Sequence, residues 1–283
     1  MSEQPPVAHP HALHRHRERI LALAALGKAA LARFATVKEV ATLLGELILA
    51  LLALLRGRAR FDKADAWAVV QASGPGALGV VALVNLLVGS ILAFVGAIQL
   101  QKFGAEMFVA DLVSIATVRE MAAVITAVVL SGRTGAAFAA RIATMQGNEE
   151  VDALKTMGVS PVEYLVLPRV LALTLMTPLL YAFACGVGLL GGWLVAVGTL
   201  DLSNALYWDR TADALAGRHF VLGALKSFAF GALVAFAGCF YGLRAGRNAA
   251  AVGEATTSAV VSGIVGVIVI DAVFALCAYA LDV

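Results

Sequence analysis

Residues 66–101 read AWAVVQASGPGALGVVALVNLLVGSILAFVGAIQLQ, thirty-six positions without one Asp, Glu, Lys or Arg. An α-helix rises 1.5 Å per residue and the hydrocarbon core of a bilayer is about 30 Å thick, so some 20 apolar residues cross it once and this stretch is too long for one helix. Ser73-Gly74-Pro75-Gly76 supplies the break, because Gly and Pro both interrupt helices. A short helix is expected before it and a first span from about Ala77 to Leu100. The same stretch excludes a transmembrane barrel, whose strands alternate apolar and polar residues over roughly ten positions. LLVGSILAFVGAI is apolar on every side.

Working outward, residues 170–200, 227–243 and 255–270 are also free of charge. They set span 3 at about Val170 to Val197, span 4 at about Phe220 to Leu243 and span 5 at about Ser258 to Leu281; span 2 runs from about Phe108 to Ser131 and carries Arg119 and Glu120. Over the 283 residues 61% are hydrophobic and 14% charged, with mean hydropathy +0.88, which excludes a disordered chain. The net charge of +2 is too small for a nucleic-acid footprint. Residues 20–55 are helical in character but interrupted by Lys28, Arg33, Lys38, Glu39 and Glu46, and read as an interfacial or re-entrant helix anchored by Arg56, Arg58, Arg60 and Lys63. The expected fold is all-α: a polytopic inner-membrane bundle of about five transmembrane helices. A polar tail over residues 1–19 and the interfacial region over 20–63 precede the membrane domain of residues 64–283.

Cytoplasmic loops are enriched in Lys and Arg. With the N-terminus inside, 16 of the 21 basic residues fall on the inner side, Lys102, Arg210 and Arg218 lie outside, and Arg119 and Lys226 sit in spans. Five spans then put the C-terminus outside. The polar N-terminus lacks the apolar core and cleavage site of a removable signal peptide. His9, His11, His14 and His16 lie in a Pro-containing tail that fixes no ligand geometry, so no metal or other cofactor is expected. Cys185, Cys239 and Cys277 lie in apolar stretches without metal-site spacing and read as small buried hydrophobes.

Between spans 2 and 3 lies GNEEVDALKTMGVSPVEYLVLPR, residues 147–169. It reads as two short helices. Asn148 caps the first, Glu149, Glu150 and Asp152 suit the positive end of its dipole, and Gly158 ends it in the left-handed conformation. Ser160, with Pro161 next and Glu163 three residues on, forms a capping box for the second. Such punctuation describes either a surface helix that shortens the loop or a coupling helix that docks on a soluble motor. The chain contains no G-x-x-x-x-G-K-[ST], so ATP energy by that route comes from a partner. The chain itself is not read as an enzyme.

At this point a resemblance becomes specific. QLQKFGAEMFVADLV, VREM, SGRTGAAFAARIATM and NEEVDALKTMGVSPVEYLVLPRVLA, together spanning Gln99 to Arg169 and just beyond, resemble the permease subunit of the MlaE (YrbE) family of ABC transporters; ALKSF at 224–228 and ATTSAVV at 255–261 fit more loosely. The resemblance implies a homodimer with a cytoplasmic ABC ATPase dimer beneath it and a periplasmic MCE-domain lipid-binding protein. It implies phospholipid, or another hydrophobic molecule, as cargo between inner and outer bacterial membranes. It also implies an ATPase-coupling helix comprising Asn148, Glu149, Glu150, Asp152, Leu154, Lys155 and Met157, whose acidic face would meet basic partner residues.

Charges at membrane depth are expensive and face bundle interiors or cavities. Glu120 lies ~18 Å inside span 2, Lys226 ~9 Å inside span 4 and Asp271 ~15 Å inside span 5. Lys226 and Asp271 are able to pair; Arg119 and Glu120, as sequence neighbours, do not share a helix face. The resemblance assigns Arg119, Glu120 and Lys226 to the substrate pocket and leaves Asp271 to structural neutralisation. Leu92, Phe94, Val95, Ile98 and Leu100 are the expected apolar lining. Two departures from the family pattern stand out. Met121-Ala122-Ala123 replaces Leu-Gly-Pro, which is expected to remove a kink from span 2, and Arg141 replaces an acidic residue. Two other readings of the residues are an ion-coupled secondary transporter with Glu120 or Asp271 as proton carrier, and a non-transporting membrane scaffold.

Overall fold

The structure, a computed structural model, describes residues 34–57, 63–200 and 202–281. The tail of residues 1–19 with its four His, residues 20–33, and Arg58 and Arg60 lie outside the described residues. The chain divides into two units, residues 1–49 and 50–283. In the first, helix α1 (34–55) begins, and there it exposes Phe34, Val37, Leu44, Ile48 and Leu49 while Leu43 is buried.

The second unit is helical throughout its described residues. Five helical stretches are long and apolar enough to cross a membrane: Ala66–Gln101, Glu106–Gly147, Val162–Thr199, Gly217–Leu243 and Ala249–Ala280. The first is broken as its sequence requires. Helix α2 (Lys63–Ser73) ends at Gly74, a 3-10 turn follows at Pro75–Ala77, and α3 (Leu78–Gln101) is the crossing. Arg133 closes the break, its guanidinium donating to the carbonyl of Ala72 at 3.0 Å, one of the carbonyls a helix end leaves without an internal partner.

The second stretch is one helix with two wide turns: α4 (Val109–Ala116), a π turn at Thr117–Met121, α5 (Ala122–Leu130), a second π turn at Ser131–Gly135, and α6 (Ala136–Gly147). It does not stop near Ser131 as its charge pattern suggested. Arg133 and Arg141 ride on the helix, and its 42 residues span roughly 63 Å, twice the hydrocarbon thickness. The following helix, α7 (Glu150–Thr156), is carried at the end of a helix longer than one bilayer crossing requires. The first π turn ends at Met121, and Ala122 and Ala123 lie in the regular helix α5. The expected second short helix after Ser160 is not separate. A π turn at Val162–Val166 runs directly into α8 (Leu167–Thr199), with Pro161 before it and the Ser160 hydroxyl accepting from the Glu163 amide at 3.4 Å.

Helix α9 (Asn204–Ala214) lies at the opposite end from α7, and α10 (Gly217–Leu243) and α11 (Ala249–Ala280) complete the bundle. Helix α8 is central, with α3 along one side and α10 along another; α10 also packs on α5, α6 and α11. Small residues permit these approaches, as membrane bundles require. A Cβ on Gly89 of α3 would overlap the carbonyl of Gly188 on α8, and the Ser90 hydroxyl donates to the Gly191 carbonyl at 3.0 Å across the same seam. A Cβ on Gly238 of α10 would come within 2.6 Å of the Gly135 carbonyl. The core between α5, α8 and α10 is built from Val118, Leu130, Leu173, Leu180, Phe230 and Val234. Cys185 and Cys239 are buried as expected; Cys277, near the far end of α11, is exposed.

Candidate functional site

Four charged residues of the spans, Arg119, Glu120, Lys226 and Asp271, come together around Lys226. Along α10 the buried positions His219, Gly223, Lys226 and Phe230 recur at helical spacing and face the bundle. Lys226 is completely buried, and its ammonium contacts Glu120 of the first π turn and lies 2.9 Å from Asp271 of α11. Glu120 and Asp271 retain side-chain exposures of 27% and 25%. The guanidinium of Arg119 is 3.7 Å from the other oxygen of Glu120. Two cations and two carboxylates thus form a charge-balanced group drawn from three spans. An unpaired ammonium in a low-dielectric interior is strongly unfavourable, and two flanking carboxylates offset that cost. The partly open carboxylates and Arg119 give the group a side accessible to another molecule.

One sequence expectation changes here. Arg119 and Glu120 are in contact although adjacent, and both sit within a π turn. Asp271 pairs with Lys226, the pairing the sequence allowed, and so joins Arg119 and Glu120. Its depth in span 5 was the available signal. The π turn is itself supported: the Tyr181 hydroxyl donates to the Val118 carbonyl at 2.8 Å, and Gly223 lacks the Cβ that would displace that hydroxyl. Of the apolar residues expected as lining, Leu92 and Leu100 pack against a small core of Ala93, Ala97, Val109 and Val113. Phe94, Val95 and Ile98 are exposed along α3, and the structure does not group them with the charges.

At the other functional segment α7 is short and well fixed. Val151 buries its side chain, while Ala153, Lys155, Thr156 and Met157 are exposed, Met157 by 68%. Its C-terminus closes by a Schellman pair: the Gly158 amide donates to Lys155 and the Val159 amide to Leu154, at 3.0 and 2.9 Å, with Gly158 at φ 73°. That ending is the expected one; the beginning is not. Asn148 terminates α6, and its side chain donates to Glu150 at 3.1 Å. The residue preceding α7 is Glu149, at φ 62°, a left-handed conformation uncommon for a residue with a Cβ. The acidic face is already engaged within the chain. Arg247, in the α10–α11 turn, donates to Glu149 at 3.1 Å and to Asp152 at 2.6 Å, and Lys155 also meets Asp152 at 3.2 Å.

At the opposite end α9 is pinned by side chains. Ser203 caps it, the Trp193 indole donates to Asn204 at 2.8 Å, and the buried Tyr207 hydroxyl donates to the Leu189 carbonyl of α8 at 3.0 Å. Burial pushes the Tyr207 phenol up to about 12. Arg210 lies over the Phe108 ring, 4.6 Å from its centroid, and 3.7 Å from Asp111.

The likenesses to known proteins agree with this architecture. Residues 66–277 match the profile of the family described as Permease MlaE. A probable ABC transporter permease protein of Rickettsia conorii is 37% identical over 185 residues, 65% of this chain and 71% of its own length. A probable ABC transporter permease protein of Synechocystis is 33% identical over 196 residues, 69% of this chain and 74% of its own. The chloroplastic protein TRIGALACTOSYLDIACYLGLYCEROL 1 of Arabidopsis thaliana is 34% identical over 202 residues, 71% of this chain and 58% of its own. With five membrane-crossing helices and a matched region that takes in every one of them, the chain belongs to the MlaE family of ABC transporter permeases.

Proposed function

We propose that this chain is the transmembrane subunit of a lipid transporter of the bacterial inner membrane, working as a homodimer and moving phospholipid or a similar hydrophobic molecule between inner and outer membranes. The α7 end is cytoplasmic and meets an ABC ATPase dimer; the α9 end is periplasmic and meets an MCE-domain lipid-binding protein. The observation that carries the reading is α7: an ordered helix carried at the end of a 42-residue helix and closed at its C-terminus by a Schellman pair. A helix so placed transmits force from a soluble motor. Lipid cargo is supported by the charge-balanced group of Arg119, Glu120, Lys226 and Asp271, which suits a zwitterionic headgroup, and by the diacylglycerol named in the Arabidopsis relative. In this reading Arg119, Glu120 and Lys226 contact the headgroup, Leu92, Phe94, Val95 and Ile98 contact acyl chains, and Asn148 to Met157 contact the ATPase.

Purification of the intact complex followed by lipid mass spectrometry tests both halves. Deleting residues 149–157 is expected to abolish ATPase co-purification while leaving the bundle folded. Retention of the ATPase by the deleted chain would refute the coupling role, and a complex free of lipid would refute the cargo.

A further inference from the structure

The Arg247 guanidinium holds both the residue that precedes α7, Glu149 at 3.1 Å, and Asp152 of α7 at 2.6 Å. Arg247 is not on the α6–α7 segment; it stands in the turn between α10, which carries Lys226, and α11, which carries Asp271. One of its two partners is Glu149, the only residue other than glycine with positive φ among the described residues. A left-handed Glu costs conformational energy and persists where surrounding contacts over-determine it, and the Arg247 pair is such a contact. Beside the turn, Tyr241, Arg244, Ala251, Glu254 and Ser258 line a cleft of about 270 Å³, so the turn is not packed solid on that side and has room to shift. Asn248 caps α11 immediately after Arg247, accepting from the Ala251 amide at 2.8 Å. A pull on Arg247 is therefore delivered to the first turn of a single 32-residue helix.

We propose that Arg247 is a positioning residue that clamps α7 to the α10–α11 turn, so that displacement of α7 by the ATPase moves α11 and with it Asp271 relative to Lys226. The proposal rests on the functional reading above and adds the route by which α7 reaches the charged group. Glu149 and Asp152 are held by this internal clamp yet keep side-chain exposures of 69% and 38%, so the ATPase still meets the face that also carries Ala153, Thr156 and Met157. Exposed ion pairs are individually weak and salt-sensitive, which suits a contact that must be remade in each cycle.

The test uses the chain with its ATPase in proteoliposomes, with fluorescent phosphatidylethanolamine as the transfer probe. Arg247→Ala is expected to keep ATPase co-purification and ATP hydrolysis while lowering lipid transfer per ATP about five-fold. The charge exchange Arg247→Asp with Asp152→Arg is expected to restore most of that transfer, which a general loss of folding would not allow. Transfer per ATP unchanged in Arg247→Ala overturns the proposal, as does loss of ATPase binding, which would make Arg247 a docking contact instead. A separate arm examines the contact itself: Asp152→Cys with Arg247→Cys is expected to be joined by a short bismaleimide, which replaces the length of the two lost side chains, and absence of that cross-link also overturns it. Failure of the unaltered chain to bind any ATPase would refute the functional reading and leave the cross-link to decide the clamp.

Discussion

Lys226 shows how one residue organises three spans. Its ammonium has no exposure, so its two carboxylate partners are requirements of folding before they are features of a site. The partners back each other up. Glu120→Gln leaves Asp271 at 2.9 Å, and Asp271→Asn leaves Glu120; each single change is expected to cost about 1 kcal/mol. Removing both strands a buried cation and is expected to cost about 3–5 kcal/mol, more than the sum. A double-mutant cycle on thermal unfolding in detergent measures the difference, and simple additivity would show that Lys226 is not held by the pair. The Lys226–Asp271 contact was legible in the sequence because both residues stand at comparable depth from one membrane face. The contact of Arg119 with Glu120 was not: it falls in a π turn, which no residue type marks.

At the scale of elements, spans were readable from charge: three of the five candidate crossings among the described residues begin or end within one residue of an uncharged stretch. What charge could not show is where a helix continues past the length of one crossing, as α6 does, because Arg133 and Arg141 look like loop residues until a helix carries them. Nor does sequence spacing tell which of 27 glycines lie at a crossing. Gly89 does: Gly89→Val would drive a side chain into the Gly188 carbonyl, and the α3–α8 seam is expected to lose about 1–3 kcal/mol. Gly79→Val, at a position with open space, is the control, and equal melting temperatures for the two variants would contradict the close approach. Helix α9 offers a pH readout. The Tyr207 phenol, pushed up to about 12 by burial, ionises near 10 in an unfolded chain. Its folded-state value is the higher one, so its contribution is complete below pH 10 and is lost as pH rises from there through 12. The emission of Trp208, whose ring meets Tyr207 edge-on at 5.4 Å, is expected to change across that window. Tyr207→Phe should abolish the change and cost about 1 kcal/mol through the unpaired Leu189 carbonyl.

For the whole molecule, orientation follows from where the folded chain gathers its basic residues. Arg133, Arg141, Lys155, Arg169, Arg244 and Arg247 stand toward the α7 end, against Lys102, Arg210 and Arg218 toward the α9 end, an asymmetry that holds without the N-terminal region. Retention of Lys and Arg on the cytoplasmic side is strongest for short segments beside spans, and both the turn before α11 and the segment bearing α7 are short. The α7 end is therefore predicted to be cytoplasmic and, with five candidate crossings among the described residues, the end of α11 is predicted to lie on the opposite side. Cys277 gives a direct check, being exposed near that end while Cys185 and Cys239 are buried. An alkaline phosphatase fused after residue 283 should be active and a green fluorescent protein dark, since the first requires the periplasm and the second fails to mature there by the same export route. The reverse pattern would invert the bundle and place α7 where no nucleotide-hydrolysing partner could reach it. Replacing Arg244 and Arg247 by Asn should weaken the preference without reversing it, because the N-terminal region still carries ten basic residues before the first crossing.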